Sequence, residues 1–168
     1  MLVNNYFIIQ SYFAKNGYIN GAQGVSLPGT KSITGDTPLI YIGYAYSSTM
    51  NKNGSPRADL SIRLGTGDTP PELTDYCLET DISSSLNLSC AVNTGAENGA
   101  IKTVLTVSGT NSLSSEVTIK EFAIIKQIRG NDNPSATIEY MIARGLLNEP
   151  KVVGAGEPFT ITFEWSGS

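Results

Sequence analysis

Histidine is absent from this 168-residue chain. That removes the commonest general base, the commonest zinc ligand and the usual switch near neutral pH. Charge is scarce: Asp, Glu, Lys and Arg make up 15 % of the residues, and acids outnumber bases to a formal net charge of −4. A surface of that sign does not gather phosphates, which argues against a nucleic-acid partner. Cysteine is limited to Cys77 and Cys90, too few for a disulfide scaffold. Without a histidine neither has the partner of a catalytic thiol, and both read as reduced, buried thiols that pack as small hydrophobes. Long apolar runs are missing as well, so no helix of about eighteen residues is expected to span a membrane. The opening apolar residues, Leu2, Val3, Phe7, Ile8 and Ile9, are broken by Asn4, Asn5 and Gln10, and no basic segment precedes them. They do not read as a secretory leader, and a chain made in a cytoplasm is the expectation.

Gly, Ser, Thr and Asn fill the space that charge and apolar residues leave, a composition of short strands joined by turns. The closing run alternates: Phe159, Ile161, Phe163 and Trp165 in one phase, Thr160, Thr162 and Glu164 in the other. Side chains of a strand switch faces with period two, so the first four are core anchors of a half-buried strand. Ala58–Leu64 alternates in the same way, and Ser85–Val92, Ile101–Val107, Val117–Lys126 and Ala136–Arg144 are further strands. Thr94–Asn98 and Gly130–Pro134 read as hairpin connections, and Glu72–Glu79 as one short helical turn begun by Pro71. The length suits a single domain. The expected fold is all-β, an antiparallel β-sandwich of jelly-roll or immunoglobulin-like kind, spanning residues 36–168 behind an N-terminal extended arm at residues 1–35.

Aromatic residues crowd the start of the chain. Tyr6, Phe7, Tyr12 and Phe13 precede a glycine-rich stretch, and Pro38–Ser47 carries Tyr41 on one face and Tyr44 and Tyr46 on the other. Neither face of that strand is polar, so both should be covered. These seven aromatics are candidates for an interface between subunits, where Tyr is enriched; a sugar-stacking platform is the alternative.

Residues able to carry chemistry are few. Asp68, Glu72, Asp75, Glu79 and Asp81 cluster without the alternating ligand spacing of a calcium loop, and Asn131-Asp132-Asn133 sits where a hairpin tip belongs. Gly65-Thr66-Gly67 lacks the Lys and the βαβ setting of a phosphate loop. Nothing singles out a carboxylate pair for glycoside hydrolysis. The expectation is a protein with no enzymatic activity, metal or cofactor. One pair stands out. Glu121 falls in the phase of Ile119 and Ala123, and Arg144 in that of Ile138, Tyr140 and Ile142. A buried charge is costly unless paired, and Arg offers a carboxylate two donors. Glu121 and Arg144 are therefore expected to pair across neighbouring strands as a structural brace, unless a twist or bulge carries one of them to solvent.

Three blocks together carry a resemblance. Ile62-Arg63-Leu64-Gly65-Thr66-Gly67 followed by Asp75-Tyr76-Cys77-Leu78-Glu79 resembles the GTG…D-x-x-L opening of small structural proteins of tailed-bacteriophage virions. Thr118-Ile119-Lys120-Glu121-Phe122-Ala123 is similar to their I-x-E-x-G-L strand, with Ala123 where Gly is common. Met141-Ile142-Ala143-Arg144, Pro150, Val152, Gly156-Glu157 and Phe159-Thr160-Ile161-Thr162-Phe163 resemble their L-A-R…P…V-x-A-G-E-x-x-T-I-x-W ending. The likeness runs over about residues 60–166. It implies a β-sandwich component of the virion, made in the host bacterial cytoplasm and acting as a capsid decoration or a neck, tail or fibre part. Its partners would be other virion proteins and copies of itself, for which a trimeric or other cyclic arrangement is suitable, with no nucleic acid and no membrane. The alternative it leaves open is a receptor- or glycan-binding module at a fibre or tail tip.

Overall fold

The computed structural model describes residues 1–2, 24–25, 30–36, 40–41, 60–97, 100–129 and 137–167. They are all-β. Eight strands run in chain order: β1 (Gly24–Val25), β2 (Ile40–Tyr41), β3 (Leu60–Gly65), β4 (Ser89–Glu97), β5 (Ala100–Thr110), β6 (Val117–Arg129), β7 (Thr137–Val153) and β8 (Pro158–Gly167). Six of them make two antiparallel sheets, ordered β3-β6-β7 and β4-β5-β8, while β1 and β2 pair with each other. The connection from β7 to β8 passes from the end of one sheet to the end of the other.

One apolar core is shared by the two sheets. Ile62, Leu64, Val117, Ile119 and Val153 from the first meet Val107 and Phe159 from the second, with Leu86 from the β3–β4 connection. Phe122 and Phe163 face each other across the gap, ring centroids 4.6 Å apart. Of the expected core anchors, Phe159 is buried, while Ile161 and Phe163 are half-buried and pack against the core. Trp165 pairs with Thr103 in the ladder, and its side chain lies outside the described residues.

The first sheet is covered on both faces. Residues opposite each other in an antiparallel ladder share a face. Ile62 opposite Ile124 and Leu64 opposite Phe122 therefore look inward, and Arg63 opposite Ala123 and Gly65 opposite Glu121 look outward. The outward face holds a second cluster, Leu78, Ala123, Ile125 and Met141, with Ile33 packed on it. The segment from Thr66 to Ile82 lies over that face. It is tied down by the Thr66 N–H to the Thr80 carbonyl (3.0 Å) and the Ile82 N–H to the Leu64 carbonyl (3.0 Å).

Several expectations are corrected. Glu72–Glu79 contains no helical turn. Asp75 accepts from the Glu72 N–H (2.8 Å) and its own N–H reaches the Glu72 carbonyl (3.2 Å), a side-chain-closed turn that competes with a helix. The stretch from Ser85 is a strand only from Ser89 on. Ser83–Ser85 is a short 3-10 turn, Leu86 plugs the core, and Asn87, with φ +41°, turns the chain into β4. The strand expected to end at Arg144 continues to Val153, past Pro150. Proline is tolerated there because the pairing jumps from Glu121–Leu146 to Ile119–Lys151, so residues 147–150 bulge opposite Lys120. Cys77 and Cys90 are free, as expected, but exposed rather than buried. In the first case the neighbouring Leu78 turns inward instead; in the second, β4 ends its sheet.

Of the described parts of the expected arm, Gly24–Val25 pairs with β2, while Met1, Leu2 and Ile33 lie on β7. Leu2 bridges to Ala143, the Arg144 N–H reaches the Met1 carbonyl (2.9 Å), and the Ile33 N–H reaches the Glu139 carbonyl (2.9 Å). Among the described residues no helix is long and apolar enough to cross a membrane.

Candidate functional site

Several charged residues, Arg63, Asp75, Glu79, Asp81, Glu121, Glu139 and Arg144 among them, meet on the outward face of the β3-β6-β7 sheet. Glu121, wholly buried, and Arg144, 3 % exposed, stand on adjacent strands and meet there. Arg144 Nε donates to Glu121 Oε2 (3.0 Å), with Nη2 2.9 Å from the same oxygen. The strand phase behind this contact differs from that expected of an unbroken alternation. The ladder runs Ile124–Ala143 and then Ile125–Met141, so Ile142 is an extra residue. That bulge moves Arg144 off the face of Ile138 and Tyr140 and onto the face of Met141, Ala123 and Glu121. A bulge is the feature that could have separated the pair. Here it brings the pair together.

Around this pair the Thr66–Ile82 segment closes. Glu121 Oε1 accepts the N–H groups of Gly67 (3.1 Å) and Thr80 (2.9 Å), and Oε2 accepts that of Glu79 (3.3 Å). Gly67 of the Gly65-Thr66-Gly67 stretch, together with Glu79 and Thr80, thus holds an anion, and the anion is the chain's own carboxylate. Glycine is required by space: a Cβ on Gly67 would lie 2.5 Å from Glu79 Cβ and 2.6 Å from Glu121 Oε1. The remaining donors of Arg144 reach Asp75 Oδ2 (2.7 Å) and the Thr69 carbonyl (3.2 Å), with Glu79 Oε2 at 3.9 Å. Burial works against the Arg144 charge, yet hydrogen bonds to Asp75 and Glu121 outweigh it and hold the guanidinium above its ordinary value.

Four of the five acids considered as cation ligands, Asp68, Asp75, Glu79 and Asp81, are engaged individually. Asp75 holds Arg144, and Glu79 accepts the Thr69 N–H (3.0 Å), which lowers the carboxyl. Asp68 pairs with Lys120 (2.9 Å), which lowers it likewise. Asp81 and Glu139 both bind Arg63. Burial raises the Asp81 carboxyl, but hydrogen bonds from Ser83 and Arg63 prevail and bring it below its usual value. Among the described residues no group of acids and cysteines is arranged to hold a metal ion. Asn131-Asp132-Asn133 lies outside the described residues.

A second polar brace leaves no mark in the sequence pattern. Asn111, wholly buried, follows β5 and donates to the carbonyls of Ser115 (2.9 Å), Val153 (3.1 Å) and Gly154 (3.1 Å). Its Oδ1 accepts the Leu113 N–H (3.0 Å), so one side chain ties the β5–β6 connection to the β7–β8 turn. Asn is common in exposed turns, and nothing in its neighbours marks this one as buried.

A cleft of about 620 Å³ lies between β7 and β8. Phe122, Leu146, Leu147, Ile161 and Phe163 are its apolar lining, and Asn148, Glu149, Lys151, Thr160, Thr162 and Glu164 are its polar lining. Of the aromatics expected at an interface, Tyr41 is placed only by its backbone in β2, and Tyr6, Phe7, Tyr12, Phe13, Tyr44 and Tyr46 lie outside the described residues. No protein family, no curated protein and no solved structure matches the chain.

Proposed function

We propose that this protein is a non-enzymatic structural component of a tailed-bacteriophage virion, assembling through protein–protein contacts as a capsid decoration, neck, tail or fibre part. One observation carries the reading. The three sequence blocks on which the resemblance rests meet at one point in space: Gly67, Asp75 and Glu79 of the first, Glu121 of the second and Arg144 of the third are joined by hydrogen bonds and ion pairs. Blocks far apart in sequence have a reason to occur together when they build one brace. A brace of this kind fixes a loop on a sheet, which suits a building block better than a reaction centre. Two sheets on a shared core support the finer fold reading, a β-sandwich of jelly-roll or immunoglobulin-like kind. The N-terminal arm, residues 1–35, is the part that would grip a neighbouring subunit.

The experiment is mass spectrometry and reconstruction of purified particles from cells producing this chain. The protein should be present in fixed copy number at a defined position. Particles lacking it would refute the proposal. A second reading, a glycan- or receptor-binding module of a fibre or tail tip, is favoured by the β7–β8 cleft, where rings and hydroxyl, amide and carboxylate groups line one opening. Binding on a glycan array that is lost in Phe163→Ala would support it, and no binding at any glycan would remove it.

A further inference from the structure

The neck of the Thr66–Ile82 segment and the loop beyond it are held by different chemistry. At the neck the Thr66 N–H reaches the Thr80 carbonyl, the Ile82 N–H reaches the Leu64 carbonyl, and Gly65 bridges to Asp81. Residues 67–79 therefore leave and return at one place, as a compact surface loop does. Among the described residues, every polar contact between this loop and the sheet beneath contains a carboxylate or Arg144. Glu121 accepts the N–H groups of Gly67 and Glu79, Arg144 binds Asp75 and the Thr69 carbonyl, and Lys120 binds Asp68. From the loop itself only Leu78 joins the apolar cluster beneath, with Ala123, Ile125 and Met141. The core between the sheets shares no member with that cluster. The loop can therefore open without opening the core, as locally held segments do.

Glu121 is ringed by donors. Oε1 faces the N–H groups of Gly67 and Thr80, and Oε2 faces the Glu79 N–H and the Arg144 guanidinium. A protonated carboxyl must donate, so a proton on either oxygen meets another donor. Asp75 Oδ2 is placed likewise, between Arg144 Nη1 (2.7 Å) and the Glu72 N–H (2.8 Å). Loss of these negative charges removes the acceptors on which the loop hangs. The backbone bonds of the neck have no charge to lose.

The surrounding groups act in the same direction. The Thr69 N–H lowers the Glu79 carboxyl, and Lys120 lowers that of Asp68. Burial raises Asp81, but hydrogen bonds from Ser83 and Arg63 prevail and lower it. Carboxyls lower in the seated loop than in a released one make release take up protons. The seated form is then favoured above about pH 4 and loses ground as pH falls through the lowered values. Arg63 on β3 faces the segment together with Glu139 on β7, and Lys31 stands 4.9 Å over the Tyr76 ring. Glu72 lies on the loop itself, and Asp36 accepts the Thr34 hydroxyl beside Lys31's segment (3.0 Å). The bases keep their charge throughout that range, and Tyr76 and Cys77 stay neutral.

We propose that residues 67–79 are an acid-released cover. When Glu121 and Asp75 lose their charge, the loop lifts from the β3-β6-β7 sheet about its neck and uncovers the side of Ala123, Ile125 and Met141 that Leu78 occupies. The core between the sheets stays closed. The molecule thus presents in acid an apolar surface that it hides at neutral pH. This goes beyond the virion reading and does not depend on it.

The test is hydrogen exchange of the full chain from about pH 7 to about pH 3, with protection corrected for the intrinsic effect of pH. Circular dichroism and binding of the dye ANS are followed beside it. On acidification the Gly67, Glu79 and Thr80 amides should lose protection by about tenfold or more while those of β5 and β8 keep theirs. ANS should bind at that stage with the β-sheet dichroism unchanged. Glu121→Gln keeps the shape of the neutral acid and sets an amide donor among donors, so it should show the same pattern already at neutral pH. Asp75→Asn, at a half-buried position, should move release to higher pH, and it decides the matter if Glu121→Gln does not fold. Three results would each overturn the cover: loop, β5 and β8 amides losing protection together, loop amides of the wild type still protected at about pH 3, or Asp75→Asn releasing at the wild-type pH.

Discussion

Replacing Arg144 with Met isolates the central brace, because it removes the guanidinium while keeping an unbranched stem. Three contacts go together: the bond to Glu121 (3.0 Å), the bond to Asp75 (2.7 Å) and the bond to the Thr69 carbonyl (3.2 Å). Glu121 stays wholly buried, with only the N–H groups of Gly67, Glu79 and Thr80 to stabilise it. Breaking a buried pair from one side costs about 3–5 kcal/mol, because the charge left behind is uncompensated. For a chain of this length one kcal/mol is worth about 2–4 °C, so the midpoint should fall by about 6–20 °C. Glu121→Met leaves three backbone donors and part of Arg144 unpaired, at about 1–3 kcal/mol per group. The double variant should be less destabilised than the two singles together, by about 0.5–3 kcal/mol, since each single strands what the other removes. Urea unfolding followed by circular dichroism measures all four corners. Hydrogen exchange adds a local readout, with the Gly67, Glu79 and Thr80 amides losing protection before the rest of the first sheet. A cost below about 1 kcal/mol for Arg144→Met, or singles that add within about 0.5 kcal/mol, would refute the brace.

Asn111→Ala should destabilise by about 2–4 kcal/mol, since the carbonyls of Ser115, Val153 and Gly154 lose a shared donor inside the fold; an unchanged urea midpoint would show that water replaces it freely. Gly67→Ala should cost about 1–3 kcal/mol by pressing a methyl into Glu79 and Glu121, and an alanine variant as stable as wild type would mean the loop can shift aside. In acid, the Asp81 carboxyl is lower in the folded chain than its ordinary value, so its contribution is present above about pH 4 and fades as pH falls through the folded value. Urea midpoints should drop between about pH 5 and pH 2, and Asp81→Asn should flatten part of that drop. At the other end, burial pushes the Tyr140 phenol up to about 12, offset in part by Thr30. Its unfolded counterpart ionises near 10, so stability should fall as pH rises through 10 toward 12; absorbance titration in which Tyr140→Phe removes no late-ionising phenol would contradict this.

Period-two alternation made the strands legible because it reports burial one residue at a time. Phe159, Ile161 and Phe163 reach the core in that phase, and the sequence alone determined an all-β chain with its last strand in a sheet. It also raised the pairing of Glu121 with Arg144 as an expectation, since two charges in apolar runs have few other ways to be satisfied, but left open whether a twist or bulge would separate them. Bulges, however, are decided by how strands pair. The extra residue at Ile142 and the unpaired span at residues 147–150 arise from registry with β6, which local pattern does not encode. Without the first, Arg144 would point to the other face. The carboxylate contact at Gly67 and the buried Asn111 depend likewise on partners more than forty residues away, Glu121 and Val153. Tertiary structure decided which polar groups met, because a hydrogen bond is set by position in space and the chain's separations carry no distance.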